Sequence, residues 1–117
     1  MKFKLIIVMT QDELTDRAIE TARDHGATGC TVITSARGEG LNPTHSFLGL
    51  TIVGQRDMIM FLVEDHHSRA IMEAISKACN FETEPGTGVA FQIDIEDAIG
   101  LGGQIRSIKQ DISKEDL

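Results

Sequence analysis

Residues 3–9 (Phe-Lys-Leu-Ile-Ile-Val-Met) and 58–63 (Met-Ile-Met-Phe-Leu-Val) decide the fold. Successive side chains of a strand point to opposite faces of its sheet. A run that is apolar at almost every position therefore predicts a strand that is buried on both faces. These two segments are predicted to be the central strands of a sheet.

The segments around these strands predict a β-α-β-β-α-β order. The first predicted helix is capped by Thr10 and Glu13 and stopped by Gly26, and the second is capped by Asp65 and ended by Asn80. Further strands are predicted over 28–35 and over 89–95, where apolar residues alternate, and a turn is predicted over 54–57. This order predicts an α+β, ferredoxin-like fold, with a four-stranded antiparallel sheet and two helices on one face.

The face of the predicted sheet that the helices do not cover is also expected to be apolar. Two helices cover only one face of a four-stranded sheet, yet both central strands are apolar on the other face as well. A monomer would leave that apolar surface in water. The sequence therefore predicts self-association through the sheet.

Composition limits the remaining classes. A chain of 117 residues has room for one domain, predicted over 1–103, followed by a polar C-terminal tail over 104–117 that we expect to be mobile or ordered by a partner. The net charge of −7 disfavours nucleic acid as a partner. The apolar start is too short for a membrane span, so we expect a cytoplasmic protein without membrane insertion. Cys30 and Cys79 have no metal-site spacing and are predicted to be small core residues.

Four short motifs then follow one another in a recognisable order. They are Ala27–Val32, Arg37-Gly38-Glu39-Gly40, Gly86-Thr87-Gly88-Val89-Ala90-Phe91 and Ile95-Glu96-Asp97-Ala98-Ile99. Over residues 2–103 the chain resembles the PII family of nitrogen-regulatory signalling proteins. The second motif resembles the start of that family's T-loop, and the third resembles its B-loop.

The resemblance implies a homotrimer that binds a small effector in clefts between subunits and regulates a partner protein. The implied ligand-binding residues are Thr31, Gly38, Gly40, Gly86, Thr87 and Gly88. The implied partner-binding loop is 37–47, with Arg37, Glu39, Leu41, His45 and Phe47. The effector stays open, with ATP, ADP or AMP as candidates, and the target is a transporter or an enzyme. No catalytic residues are predicted, because no nucleophile has a recognisable base near it in the sequence.

The chain also departs from the family pattern. Val89 stands where the family has a phosphate-binding lysine, and Gly100 and Gly102 stand at or near its two arginines. Glu82 and Glu84 add negative charge nearby. The resemblance is therefore closer to a divergent, PII-like branch than to the standard sensors of ATP and 2-oxoglutarate.

Two alternative functions remain open at this stage: a metal-binding protein and, with less support, a small enzyme that uses the same cleft. A trimeric ferredoxin-like protein that binds divalent metals would use His45, His66 and His67 with nearby carboxylates. Adjacent helical residues point about 100° apart, so His66 and His67 do not share a face, and the preferred interpretation assigns no metal ligands. The segment 47–53 is apolar and β-branched, and is interpreted as strand, core packing or partner docking.

Overall fold

The computed structural model describes residues 1–37 and 55–115. The strands are β1 (Phe3–Gln11), β2 (Thr31–Ala36), β3 (Arg56–Glu64) and β4 (Gly88–Ile95). The helices are α1 (Thr15–Asp24), α2 (Asp65–Ala78) and α3 (Gly102–Glu115). All strand pairs in the sheet are antiparallel, and the strand order is β2-β3-β1-β4. This arrangement confirms the predicted α+β, ferredoxin-like fold.

The core lies between one face of the sheet and the helices α1 and α2. Its fully buried residues come from β1, β3 and both helices: Ile6, Val8, Ile59, Phe61, Ala18, Ala22, Ile71 and Ile75. The apolar spacing in both helices places one stripe against the sheet. Cys79 belongs to this core, whereas Cys30 is exposed, so the prediction that both cysteines are core residues is wrong for Cys30. Cys30 directly precedes the edge strand β2, where the helices do not cover it.

Both main helices end as the sequence predicted. Gly26 (φ 110°) follows α1, and Asn80 (φ 59°) follows α2, each in the left-handed region. At the end of α2, the Phe81 N–H donates to the Ser76 carbonyl at 2.9 Å, which is the hydrogen bond of a Schellman motif. This motif fixes the direction in which the chain leaves α2.

Both predicted helix starts differ from the structure. Thr10 is fully buried in β1, and its hydroxyl donates to the Thr87 carbonyl instead of capping α1. The chain makes a short 3-10 turn, Asp12–Leu14, before α1 begins at Thr15. Glu64, not Asp65, caps α2 by accepting from the His66 N–H at 2.8 Å. In each case a strand continues further than predicted: β1 takes up Thr10, and β3 extends to Glu64, so that Asp65 is the first residue of α2.

The C-terminal segment was predicted to be a polar tail, and the structure has the helix α3 there. Ile105 and Ile108 lie three residues apart and Ile108 is only 6% exposed, so a short apolar stripe accompanies the helix. A helix over Gly102–Glu115 was not predicted. The division between a domain over 1–103 and a separate tail stays a prediction.

The face of the sheet opposite α1 and α2 carries an apolar surface. Large side chains on this open face are exposed at both edges, with Ile33 at 46%, Phe91 at 37% and Ile93 at 48%. The registers Leu5↔Ile93 and Ile7↔Phe91 place residues of β1 on the same face. In β4, Phe91 and Ile93 therefore point away from the core helices, whereas Ala90 packs against the core. Such a surface is stable in water only if something else covers it.

Candidate functional site

Two chain segments that the sequence singled out lie at one end of the sheet. The β2–β3 connection leaves β2 at Ala36 and returns at Arg56, and these two residues are register partners. At the same end, Thr10 of β1 is paired with both Asp57 of β3 and Gly88 of β4. The segment 80–88, which we call the glycine loop, therefore lies beside this connection at what we call the loop end of the sheet.

The glycine loop is closed by its own hydrogen bonds. The Glu84 N–H donates to the Asn80 carbonyl at 2.9 Å. The Thr87 hydroxyl lies within hydrogen-bond distance of two carbonyls, Glu84 at 2.9 Å and Asn80 at 3.1 Å. Thr87 is only 6% exposed. Its side chain therefore holds the loop in shape and faces the interior of the loop.

A second set of hydrogen bonds fixes the loop to β1. The Thr87 carbonyl accepts from the Thr10 hydroxyl at 2.7 Å and from the Gln11 N–H at 3.2 Å. The Gln11 side-chain amide donates to the Gly86 carbonyl at 3.1 Å. These carbonyls are satisfied within the chain. Several N–H groups of the loop also donate within the chain, those of Phe81, Thr83, Glu84 and Thr87. The loop therefore offers a ligand the N–H groups that these bonds do not use, together with its outer surface.

Gly88 is required where the loop enters β4. A Cβ atom at this position would lie 2.4 Å from Phe81 Cε1 and 2.8 Å from the Met9 carbonyl oxygen. Both distances are far inside van der Waals contact, and one of them is to backbone. The absence of a side chain lets the Phe81 ring lie directly against the loop. Gly86 contributes differently, through a backbone φ of 83°.

An open cleft of about 530 Å³ lies beside the glycine loop at the free edge of β4. Phe81, Met72 and Ala90 give it an apolar floor that packs against the core. Its remaining lining residues come from α2, the loop and β4: Arg69, Glu73, Ser76, Lys77, Asn80, Glu82, Thr83, Gly88 and Val89. The size and the mixture of apolar and polar walls are typical of small-molecule sites.

Arg56 and Asp57 are buried charged residues at the loop end that sequence reasoning missed. They were interpreted as part of a turn, but they begin β3 and are only 5% and 8% exposed. Asp57 accepts a hydrogen bond from the Thr15 hydroxyl at 2.7 Å, and Arg56 Nη1 donates to the Gln55 carbonyl at 3.2 Å. Two adjacent charges after a polar turn gave no signal of burial. The pairing of both with β1 is what encloses them.

Thr31 lies at the opposite edge of the sheet from the glycine loop. It is exposed on β2 and pairs with Met60, while Gly88 is at the other edge in β4. Three strand spacings, about 14 Å, separate the two edges. One chain therefore does not bring Thr31 together with Gly86, Thr87 and Gly88. The other predicted residues of the ligand site and partner loop, apart from Arg37, lie outside the described residues: Gly38, Glu39, Gly40, Leu41, His45 and Phe47, as does the segment 47–53.

Comparison with known proteins decides the family. The family model of the nitrogen regulatory protein P-II matches residues 3–104. The chain belongs to the PII family. No curated protein matches this chain.

Solved structures of PII-like proteins share the fold. A PII-like signalling protein from Thermus thermophilus is 20% identical, with a TM-score of 0.60 over 81% of this chain and 87% of that one. The apo form of CPII from Thiomonas intermedia, a nitrogen regulatory PII-like protein, is 19% identical, with a TM-score of 0.64 over 81% and 90%. CPII bound to ADP, AMP and bicarbonate is 18% identical, with a TM-score of 0.63 over 86% and 97%.

The PII family consists of signalling proteins, and the fold of this member agrees with the divergent, PII-like branch. In the structure, Val89 lines the cleft beside the glycine loop, at the position where the resemblance implies a lysine. Among the described residues, no helix is long and apolar enough to cross a membrane.

The histidines of this PII family member do not form a metal site within the described part of the chain. His66 Nδ1 lies 2.5 Å from Glu64 Oε1, and the His67 ring lies close to Gly26. Within residues 1–37 and 55–115, no group of three or more potential ligands is placed to hold a metal ion. His45 lies outside these residues. The Glu64 carboxylate raises the pKa of His66, first by its hydrogen bond and then by its charge.

Proposed function

We propose that this chain is a PII-type signalling protein that forms a homotrimer, binds an adenine nucleotide between neighbouring copies and regulates a partner protein in the cytoplasm. Residues 37–47 are the partner-binding loop, and a transporter or an enzyme is the target. The domain over 1–103 carries these functions, and the segment 104–117 is an appendage to it. The observation that carries the proposal is the cleft beside the glycine loop at an open edge of the sheet.

The open face supports the assembly. Ile33, Phe91 and Ile93 are large apolar residues with more than a third of their surface exposed. Burial of apolar surface stabilises association by about 25 cal/mol per Å². A second and a third copy against this face would remove these side chains from water, as self-association through the sheet requires.

The edges support a ligand site between copies. Thr31 on β2 and the glycine loop beside β4 lie about 14 Å apart in one chain. They belong to one site only where the β2 edge of one copy approaches the β4 edge of another. In that arrangement the cleft beside Phe81 becomes enclosed on its open side.

The chemistry of the cleft suits an adenine nucleotide. The Phe81 ring and Met72 offer an apolar surface on which a purine can pack. Gly86 and Gly88 let the backbone approach a phosphate closely, so that N–H groups can donate to it. Arg56 is a buried cation at the same end of the sheet. We assign Thr87 to holding the loop, since its hydroxyl is directed to carbonyls within it.

Control of the partner loop by the ligand follows from the position of the partner loop and the glycine loop at the same end of the sheet. The predicted partner loop begins at Arg37, directly after β2, and the glycine loop lies at the same end of the sheet. A ligand held between two copies at this end contacts the start of the partner loop of one copy. Occupancy of the cleft thereby controls the conformation of 37–47 and its contact with the target.

Assembly is tested by light scattering on the full chain and on Ile93→Asp. The wild type is expected at three times the 12.8 kDa chain mass. Ile93→Asp places a charge on the open face and is expected to dissociate the assembly with its circular dichroism spectrum retained. Ile99→Asp is the matched control, because Ile99 is 95% exposed and lies outside the sheet. A monomeric wild type would refute the assembly.

Ligand binding is tested by isothermal titration of wild-type protein with AMP, ADP and ATP. At least one nucleotide is expected to bind with one site per chain, and dissociated Ile93→Asp is expected to lose that binding. Trypsin cleavage after Arg37 is expected to slow when the nucleotide is present. If no nucleotide binds, or if the dissociated variant binds as well as the wild type, the proposed site between copies is wrong.

A further inference from the structure

The charges that line the cleft beside the glycine loop nearly cancel. Its cations are Arg69 and Lys77, and its carboxylates are Glu73 and Glu82. Arg69 already forms an ion pair with Glu73, with 2.9 Å between Nε and Oε1. An anionic ligand in this cleft therefore meets little net positive charge.

The surface that would face the cleft in the assembly adds few charges. The β2 edge over residues 28–36 has the sequence Thr-Gly-Cys-Thr-Val-Ile-Thr-Ser-Ala and contains no charged side chain. The first charged residue after it is Arg37. On the near side, Val89 lines the cleft at the start of β4 and carries no charge. Within the described residues, the two walls supply three cations, Arg69, Lys77 and Arg37, and Arg69 is already paired with Glu73.

We infer that the cleft selects an adenine nucleoside monophosphate over the triphosphate, with Val89 and Glu82 as the residues that determine this specificity. The inference rests on the proposed function, because it concerns the same site. It names the number of phosphates that the site accepts, which neither the family nor the fold decides.

Charge is the physical reason for this selection. A terminal phosphate carries about −1.5 to −2 at pH 7, and each further phosphate group adds negative charge. Donors from the glycine loop and one or two cations can satisfy one phosphate group. The second and third groups would lose their water in a cleft whose lining carries as many carboxylates as cations, which disfavours binding.

The apolar floor acts in the same direction. Binding through the purine on Phe81 and Met72 contributes equally to AMP, ADP and ATP, since the base is the same in all three. The difference between these ligands then comes only from the phosphates. Because the phosphates beyond the first meet no net positive charge from the lining, affinity is expected to fall from AMP to ADP to ATP.

The test is titration of the full-length protein with AMP, ADP and ATP in magnesium-free buffer. A charge-assisted hydrogen bond corresponds to about a tenfold change in affinity or more. We expect AMP to bind at least about tenfold more tightly than ATP, with ADP between them. Raising the salt concentration is expected to narrow the difference, because the disfavoured phosphates are screened from Glu82.

Val89→Lys sharpens the test by adding one cation to the cleft. This variant is expected to strengthen ATP binding by about tenfold and AMP binding by much less, which reduces the selectivity. Val89→Leu keeps the charge and is expected to retain the ratio of the two affinities. Glu20→Gln, at an exposed position of α1 that does not line the cleft, makes the same change in net charge and is also expected to retain the ratio.

The outcomes separate this inference from the proposed function. If ATP binds as tightly as AMP or more tightly, the selectivity is wrong and the nucleotide site itself stands. If Glu20→Gln changes the ratio as much as Val89→Lys does, net charge and not the cleft determines selectivity, and the inference is also overturned. If no nucleotide binds, the proposed function fails and the inference fails with it.

Discussion

The two ends of the sheet differ in how far their polar side chains are exposed to water. At the loop end, Thr10, Thr87 and Asp57 are less than 10% exposed, and each has a hydrogen-bond partner within the chain. At the other end, Lys4 bonds to Asp94, whose side chain is 83% exposed. The first end contains a buried network, whereas the second combines one buried carboxylate, Glu64 (3% exposed), with ion pairs in contact with water.

This difference shows which end is built for binding. A buried polar group costs about 1–3 kcal/mol if its partner is lost, so the network at the loop end fixes the glycine loop in one conformation. Exposed ion pairs contribute little and tolerate change. Substitutions at the loop end should therefore affect stability much more than substitutions at the other end, and four changes test that order.

The largest effect is expected from Gly88→Ala. The added Cβ would meet both the Phe81 ring and the Met9 carbonyl oxygen, so the glycine loop or β1 must move. We expect a loss of about 3 kcal/mol in the free energy of unfolding, measured by urea denaturation. Gly29→Ala is the matched control, because a Cβ there meets nothing within 4 Å. Equal effects of the two substitutions would show that the contact at Gly88 is not tight.

Thr87→Val is expected to have the next largest effect. It removes the hydroxyl that donates within the glycine loop but keeps the shape of the side chain. We expect a loss of about 1–2 kcal/mol in the same measurement. Thr87→Ser retains the hydroxyl and should recover most of that loss. A Ser variant as unstable as the Val variant would mean that the methyl group, and not the hydrogen bond, stabilises the loop.

His66 predicts a pH dependence at the other end of the sheet. Glu64 raises the pKa of His66 above its unfolded value of about 6.5. The raised pKa stabilises the folded state fully below pH 6.5, and this contribution is lost as the pH rises through the folded pKa. The difference in unfolding midpoint between wild type and His66→Gln should therefore shrink between about pH 5.5 and about pH 8. These two pH values lie about one unit or more below and above the unfolded pKa of histidine. A difference that grows over this range would contradict the pairing.

Lys4→Met is expected to have the smallest effect. Lys4 forms ion pairs with Asp94 and Asp65 at the exposed end, and its hydrogen bond and charge lower the pKa of Asp94. The shift in unfolding midpoint should be smaller than that of Thr87→Val and should decrease as salt is added. A shift larger than that of Thr87→Val would reverse the proposed order of the two ends.

The central strands made most of the fold predictable. Residues 3–9 and 58–63 are apolar on both faces, which indicated the open face before the structure located it on the side away from α1 and α2. The exposed side of β4 was less predictable. Its period-two pattern identified a strand, but Ile93 is exposed and not buried, because a pattern of alternation does not say which face the helices cover.

The candidate site was predicted in part. Gly86 and Gly88 stand in the loop that the motif indicated, and Gly88 has a steric reason to be glycine. The sequence did not reveal the burial of Arg56 or the role of Thr10, because both depend on pairing between strands that are far apart in the chain. Helix α3 was missed for a related reason: Ile105 and Ile108 indicate an apolar stripe only once the residues that pack against them are known.

Amide chemical shifts of the isotope-labelled, full-length protein during titration with AMP test most directly whether a nucleotide binds between copies of this chain. We expect saturating shifts at Gly86, Gly88 and Val89 on the β4 edge together with shifts at Thr31 and Arg37 on the β2 edge, at one AMP per chain. Both sets should disappear in Ile93→Asp. Shifts confined to one edge, shifts that persist in the dissociated variant, or no shifts at all would contradict a nucleotide site formed by two copies.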